Sequence, residues 1–307
     1  MSTAGMPSAT TGINLKIAAA LCMTLMLACI KALDGAVPPG QIAFYRAAVT
    51  LLPLLIWILW KRSAVEVFRF NKLARHFGRG VSGSISMFLS FVTVACLPLA
   101  DAVLLGYAAP LMTVFLALYA LKERVPGYRW AGAIVGSIGV VIALSPHLGA
   151  WHDPGRLSAS AILGIATGLV GALFGALSII QIRSLAATEA PGAIVFYYML
   201  MTGVLGLMSM PFGWATLDLW QLALLSSAGL FGGLANLLIA QSLRCAHASV
   251  TAPFEYTTLL WSALISYSVF DQAPGLSVLV GGSLVAASGA FTVWRETRGM
   301  SEARSAG

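Results

Sequence analysis

Apolar residues along this chain fall into ten long unbroken runs, at roughly 16–33, 40–60, 80–98, 101–121, 130–146, 160–182, 191–213, 219–243, 247–270 and 276–294, with short polar stretches between them. A helix needs about 20 such residues to cross a hydrocarbon core of about 30 Å. A membrane strand would alternate apolar and polar positions, and these runs do not, so helices are predicted and a barrel is not. The first run follows fifteen mostly uncharged residues and no small-residue cleavage site comes after it, so it is expected to stay as a span.

The ten runs divide into two sets of five. Pro39-Gly40-Gln41-Ile42-Ala43-Phe44-Tyr45-Arg46 returns 152 residues later as Pro191-Gly192-Ala193-Ile194-Val195-Phe196-Tyr197-Tyr198, and Ile30-Lys31-Ala32-Leu33 returns as Ile182-Arg183-Ser184-Leu185. Further along the offset becomes 148, where Glu123-Arg124-Val125-Pro126-Gly127 answers to Asp271-Gln272-Ala273-Pro274-Gly275. Five is odd, so the second set must sit upside down relative to the first. The prediction is an all-α polytopic membrane protein of ten transmembrane helices, built as two inverted five-helix repeats around a central cavity. Its parts are an N-terminal tail at 1–15, repeats at 16–150 and 160–295, and a C-terminal tail at 296–307.

Composition agrees, with 59% hydrophobic and 9% charged residues and a mean hydropathy of +0.87, against roughly a quarter charged in soluble domains. Placing the N-terminus in the cytoplasm puts fifteen of the eighteen Lys and Arg residues on inner segments and only Lys31 and Arg156 on outer ones, with Arg46 inside a span. Both termini are therefore predicted to be cytoplasmic, in a bacterial inner membrane. The net charge of +7 is explained by this topology and by anionic membrane lipid, and implies no nucleic-acid partner. Trp60, Trp130 and Trp294 fall at inner ends and Trp151, Trp214 and Trp220 at outer ends, whereas Trp261 lies in the body of a span. The connection from Lys61 to Gly80 reads as a short interfacial helix.

Leu97-Pro98-Leu99-Ala100-Asp101-Ala102, then Pro110, Leu121-Lys122-Glu123-Arg124 and the glycines Gly132, Gly136 and Gly139, resemble the first half of an EamA-type member of the drug/metabolite transporter superfamily. Ala252-Pro253-Phe254-Glu255-Tyr256-Thr257 and Leu259-Leu260-Trp261 resemble a subset of that family in the second half. The resemblance implies ten helices around a cavity and secondary transport of small metabolites. Members that resemble it in the second stretch handle amino-acid-derived or metal-chelating metabolites, S-adenosylmethionine or riboflavin. Asp271 stands where the family usually has Glu.

Ionisable groups inside spans are costly and mark function by default. Arg46 is expected about 9 Å below the outer face and Glu255 about 12 Å from the inner face, at 1.5 Å per residue. Under the repeat Arg46 answers to Tyr198 and Glu255 to Tyr107. This predicts an outer cluster of Arg46 with Tyr107 and an inner cluster of Glu255, Tyr256 and Tyr198, a lining suited to a zwitterionic or aromatic solute. The competing reading is that Arg46 and Glu255 only fix helix packing. Glu255 is also the candidate for proton coupling, since a carboxyl in a span can load and release a proton between states. Asn236, with Gln241, either touches substrate or bonds between helices, and the face of Trp261 is covered either by packing or by substrate. Glu123 and Asp271 either cap the next helix or tie the hairpin, or else act as gates. Glycines at 164, 168, 171 and 175 allow close helix approach, and Pro110 and Pro253 should kink spans four and nine.

Other chemistries find no support in the sequence. There is no P-loop, HExxH, GxSxG or intramembrane aspartate pair, so no ATPase or hydrolase is expected. Cys22, Cys29, Cys96 and Cys245 lack metal spacing, and His147, His152 and Asp153 lack a third ordered ligand. No cofactor or metal is expected, and the partners expected are a small organic solute and membrane lipid, in a monomer or homodimer. The function read from the sequence is secondary export of an amino-acid-like or amino-acid-derived metabolite. Its alternatives are uptake of a vitamin or nucleoside-type solute and passage through a passive channel.

Overall fold

A computed structural model describes residues 9–60, 73–109, 112, 113, 116, 127–149, 159–186, 189, 191–245 and 252–305, and the described residues hold helices and no strand. In chain order they form α1 (Ala9–Lys31), α2 (Pro39–Trp60), α3 (Leu73–Cys96), α4 (Leu99–Gly106), α5 (Gly127–Gly149), α6 (Ala159–Ala186), α7 (Pro191–Met208), α8 (Leu219–Cys245), α9 (Thr257–Phe270) and α10 (Leu276–Ser305). A 3₁₀ segment, Ala252–Tyr256, leads into α9. Seven of these helices, α1, α2, α3, α6, α7, α8 and α10, are long and apolar enough to cross a membrane. Helix α5 carries a shorter apolar stretch, Trp130–Ser145, and α4 and α9 are shortened by breaks.

The bundle buries an apolar core, including Phe91, Leu104 and Leu225, and also exposes many large apolar side chains. Leu52, Ile56, Val141, Leu163, Leu260 and Val269 are exposed, while Thr24, Ser84, Thr202, Ser242 and Ser262 are buried. Hydroxyls tie helices together where lipid offers no hydrogen bond: Ser84 and Thr202 are 2.8 Å apart, Ser82 donates to Gln181 at 2.7 Å, and Thr93 and Thr167 meet at 3.0 Å.

Helix α1 lies against α8, α3 against α6, α5 against α10, and α2 against α7. Small residues set these contacts. On α6, Gly164 faces Cys96 and Leu97, Gly168 faces Thr93 and Leu105, and Gly171 approaches the Ser86 carbonyl oxygen, so the glycine row seats this helix on α3. Between α5 and α10 the backbones nearly touch, since a methyl group at Gly139 would come within 2.7 Å of the Gly281 carbonyl oxygen.

Helix α3 begins at Leu73 and not near residue 80. Residues 73–79 are thus its first turns, and this part of the expected interfacial segment belongs to a span; residues 61–72 lie outside the described residues. Hydropathy placed the start late because Arg75, His76 and Arg79 dilute its first turns. Lys31 ends α1 and donates to the Leu97 carbonyl at 2.7 Å, placing a cation where the carbonyls of α3 end.

Asp271 closes α9 in a left-handed conformation, φ 53, and the Gln272 amide returns to the Ser266 carbonyl at 2.9 Å. It therefore stops the preceding helix through its backbone, at the hairpin into α10. Asp271→Gly protein should keep wild-type stability, and Asp271→Ile should lose about 1–2 kcal/mol, as β-branched residues resist this conformation; melting curves of the two purified variants check this.

Candidate functional site

Helix α4 and the stretch leading into α9 are both interrupted. Helix α4 stops at Gly106, and Tyr107 makes a tight turn, its amide bonding back to the Leu104 carbonyl at 3.0 Å. Pro110 follows three residues later and itself lies outside the described residues. In the second half the 3₁₀ segment carrying Pro253 replaces the first turn of α9. A proline lacks the amide that would continue the ladder, so carbonyls ahead of it are released.

The two breaks touch. The Tyr107 hydroxyl donates to the backbone carbonyl of Glu255 at 2.7 Å, and Thr258 donates to the same oxygen at 2.7 Å. The rings of Tyr107 and Tyr256 stack with centroids 5.2 Å apart. Gly289 of α10 leaves the room that the Tyr256 ring fills, since a Cβ there would overlap the phenol. The Glu255 carboxylate pairs with Lys16 of α1 at 3.4 Å, its side chain 60% exposed against 12% for Lys16. Broken helices with released carbonyls and adjacent ionisable groups are how transporters build a solute site.

The second group surrounds Arg46 on α2. This residue is 4% exposed. Its Nε donates to the Met26 sulfur at 3.1 Å and its Nη1 to the Met87 sulfur. Gly232 of α8 sits beside the guanidinium, where a Cβ would stand 2.9 Å from Nε. The Tyr198 hydroxyl reaches the same Met87 sulfur at 3.5 Å, and Arg79 of α3 stands over the Tyr198 ring, its Cζ 4.1 Å from the centroid.

This pairing corrects the sequence reading. Tyr107 joins Glu255 and Tyr256, and Tyr198 joins the Arg46 group, so the two tyrosines exchange places. Depth counted along continuous helices could not register the 3₁₀ break that moves Glu255. Lys16 and Arg79 had been read as topology charges. A basic residue only a turn or two inside a span was the signal available for both.

Other candidates have narrower roles. Asn236 donates to Gly232 of its own helix at 2.9 Å, and the Gln241 amide reaches the Cys245 sulfur at 4.0 Å; neither bond runs between helices. The buried Trp261 indole nitrogen has no acceptor among the described residues. Glu123 lies outside the described residues. A cavity of about 210 Å³ opens beside the start of α4, lined by Asp101, Ser266, Gln272 and Pro274 among others. Ser266 Oγ and Gln272 Oε1 are unpaired among the described residues. No group of three metal-ligating side chains occurs among the described residues.

Residues 10–145 match the EamA-like transporter family. The chain is 26% identical over 265 residues to an S-adenosylmethionine uptake transporter of Rickettsia bellii, covering 85% of this chain and 86% of the relative. It is 26% identical over 281 residues to a pseudopaline exporter of Pseudomonas aeruginosa, covering 90% and 93%. A solved crystal structure superposes with a TM-score of 0.66 at 18% identity over 93% of this chain and 98% of the other, and so has the same fold.

Proposed function

The chain carries an EamA family domain and its relatives are transporters of that type, and from this premise we propose that it is a secondary active carrier that moves a small organic metabolite by alternating access. The observation that carries the reading is the contact between the two helix breaks, Tyr107 on the Glu255 carbonyl. It joins corresponding points of the two repeats beside an ion pair, and a site between repeats is where such carriers hold their solute.

The proposed architecture has ten spans in two inverted repeats at 16–150 and 160–295. Supporting it, the helix packing is nearly unchanged when the halves are exchanged: α1 on α8 corresponds to α6 on α3, and α2 on α8 to α7 on α3. Both termini are proposed to lie in the cytoplasm of a bacterium, with the protein in its inner membrane, a reading that the distribution of basic residues supports. Arg46, Tyr107, Tyr198, Glu255, Tyr256 and Trp261 are proposed to line the solute path, with Asn236 supporting Gly232.

Export of an amino-acid-derived metabolite is the favoured direction and class. Uptake is the second reading, favoured by the uptake transporters among the relatives. Metabolite profiles inside and outside cells lacking or overproducing the protein distinguish them. A compound retained by the deletion strain and released by the overproducer means export, the reverse means uptake, and no difference under any growth condition refutes the carrier.

Glu255 is proposed to couple transport to protons by exchanging Lys16 for a proton. Its exposed ion pair contributes less than about 1 kcal/mol to stability. Glu255→Gln protein should thus melt as wild type does yet lose its response to a collapsed pH gradient. Transport by wild-type protein that ignores the gradient refutes the coupling.

A further inference from the structure

We propose that the transported solute is an elongated molecule with two acidic groups, one held by Arg46 and the other by Arg79. This rests on the carrier reading above. Among the described residues neither guanidinium has a carboxylate within ion-pair distance, the acid of the nearby ion pair being already engaged by Lys16. Charge buried inside a span demands an opposite charge or strong acceptors. Among the described residues Arg46 has only thioether sulfurs, which are weak acceptors. Arg79 has less: its Nε and Nη1 are buried without a hydrogen-bond partner among the described residues.

Both groups are nevertheless held in fixed positions. Stacking on Tyr198 holds the Arg79 guanidinium in place while leaving Nε and Nη1 without a partner among the described residues. A planar fork with free donors is the geometry that binds a carboxylate through two parallel bonds. A glycine flanks each guanidinium at equivalent points of the two repeats. A Cβ at Gly83 would overlap Arg79 Nη1 and press on the Tyr198 ring, and a Cβ at Gly232 would stand 2.9 Å from Arg46 Nε. These two glycines keep side-chain atoms out of the space an anion would enter.

Spacing sets the length of the solute. Arg46 lies seven residues after Pro39 in α2 and Arg79 six residues after Leu73 in α3, and the two helices run in opposite directions. At 1.5 Å per residue across a core of about 30 Å, the two positions are about 10 Å apart in depth. Met87 and Tyr198 bridge the interval, giving an apolar and aromatic wall between two cationic ends. A short monocarboxylate can engage only one end.

The profiling above names the solute. Vesicles containing the full-length protein are then assayed with that labelled compound and with its monoamide, using wild type, Arg79→Gln and the control Arg75→Gln, whose parent side chain is exposed on the same helix. The expected solute has two or more acidic groups, and Arg79→Gln raises its KM tenfold or more while leaving the KM for the monoamide, and both KM values of the control, unchanged. A solute with fewer than two acidic groups overturns the inference and leaves the carrier intact. So does an Arg79→Gln protein whose two KM values rise together, because damage to packing acts on both compounds. If no solute moves at all, the carrier reading fails and this one falls with it.

Discussion

Protein in which leucine replaces Arg46 is expected to melt at a higher temperature than wild type and to carry essentially no solute. The two effects share one cause. The guanidinium is 4% exposed and, among the described residues, bonds only to the sulfurs of Met26 and Met87. Replacing a poorly compensated buried charge by an apolar side chain of similar volume stabilises proteins by about 1–4 kcal/mol. In transport the same charge meets an acidic group, and losing a charged hydrogen bond of about 1.5–3 kcal/mol lowers flux roughly 10- to 100-fold. If Arg46 served packing alone, its loss would lower stability and flux together. Melting curves of purified protein alongside initial transport rates separate the two cases.

The second large effect is structural. Gly281→Val should prevent α5 and α10 from meeting and reduce the yield of folded protein. A Cβ at position 281 would lie against the Gly139 carbonyl oxygen and 2.9 Å from the Ala143 amide nitrogen. These are backbone atoms of a facing helix, which cannot rotate away as a side chain tip does. Overpacking of this kind costs about 1–3 kcal/mol or more. Gly275→Val, at a position where a Cβ meets only the Ser277 hydroxyl at 3.6 Å, serves as the control and should express normally. Size-exclusion profiles of the two variants decide the matter, and equal monodisperse yields would show that the two helices can shift apart.

The sequence made the helices legible, because they rest on long apolar runs, and its matched positions drew attention to the ionisable residues inside them. Arg46 and Glu255 stand out as charges among apolar residues, and the repeat points from them to Tyr198 and Tyr107. It could not say which tyrosine meets which charge. That depends on where a helix changes to 3₁₀ winding, and Pro253 marks the neighbourhood of the change without fixing its register. Arg79 was hidden by the same rule that reveals spans: a charge near a helix start moves the apparent border past itself. One clue was available, for Gly83 and Gly232 stand 149 residues apart, near the offset of the repeat, and each flanks one of the two arginines. Lys16 was read for the side of the membrane it marks, and only the folded chain brings it to Glu255, 239 residues away.

The sulfurs around Arg46 give the site a chemical vulnerability. Peroxide transfers one oxygen atom to a thioether and leaves water, and the resulting sulfoxide is a far stronger acceptor than the sulfur it replaces. At Met26 or Met87 that oxygen would sit within reach of the guanidinium and occupy the donors a solute needs. Oxidation of either buried sulfur would thus turn the guanidinium inward and close it to an acidic solute.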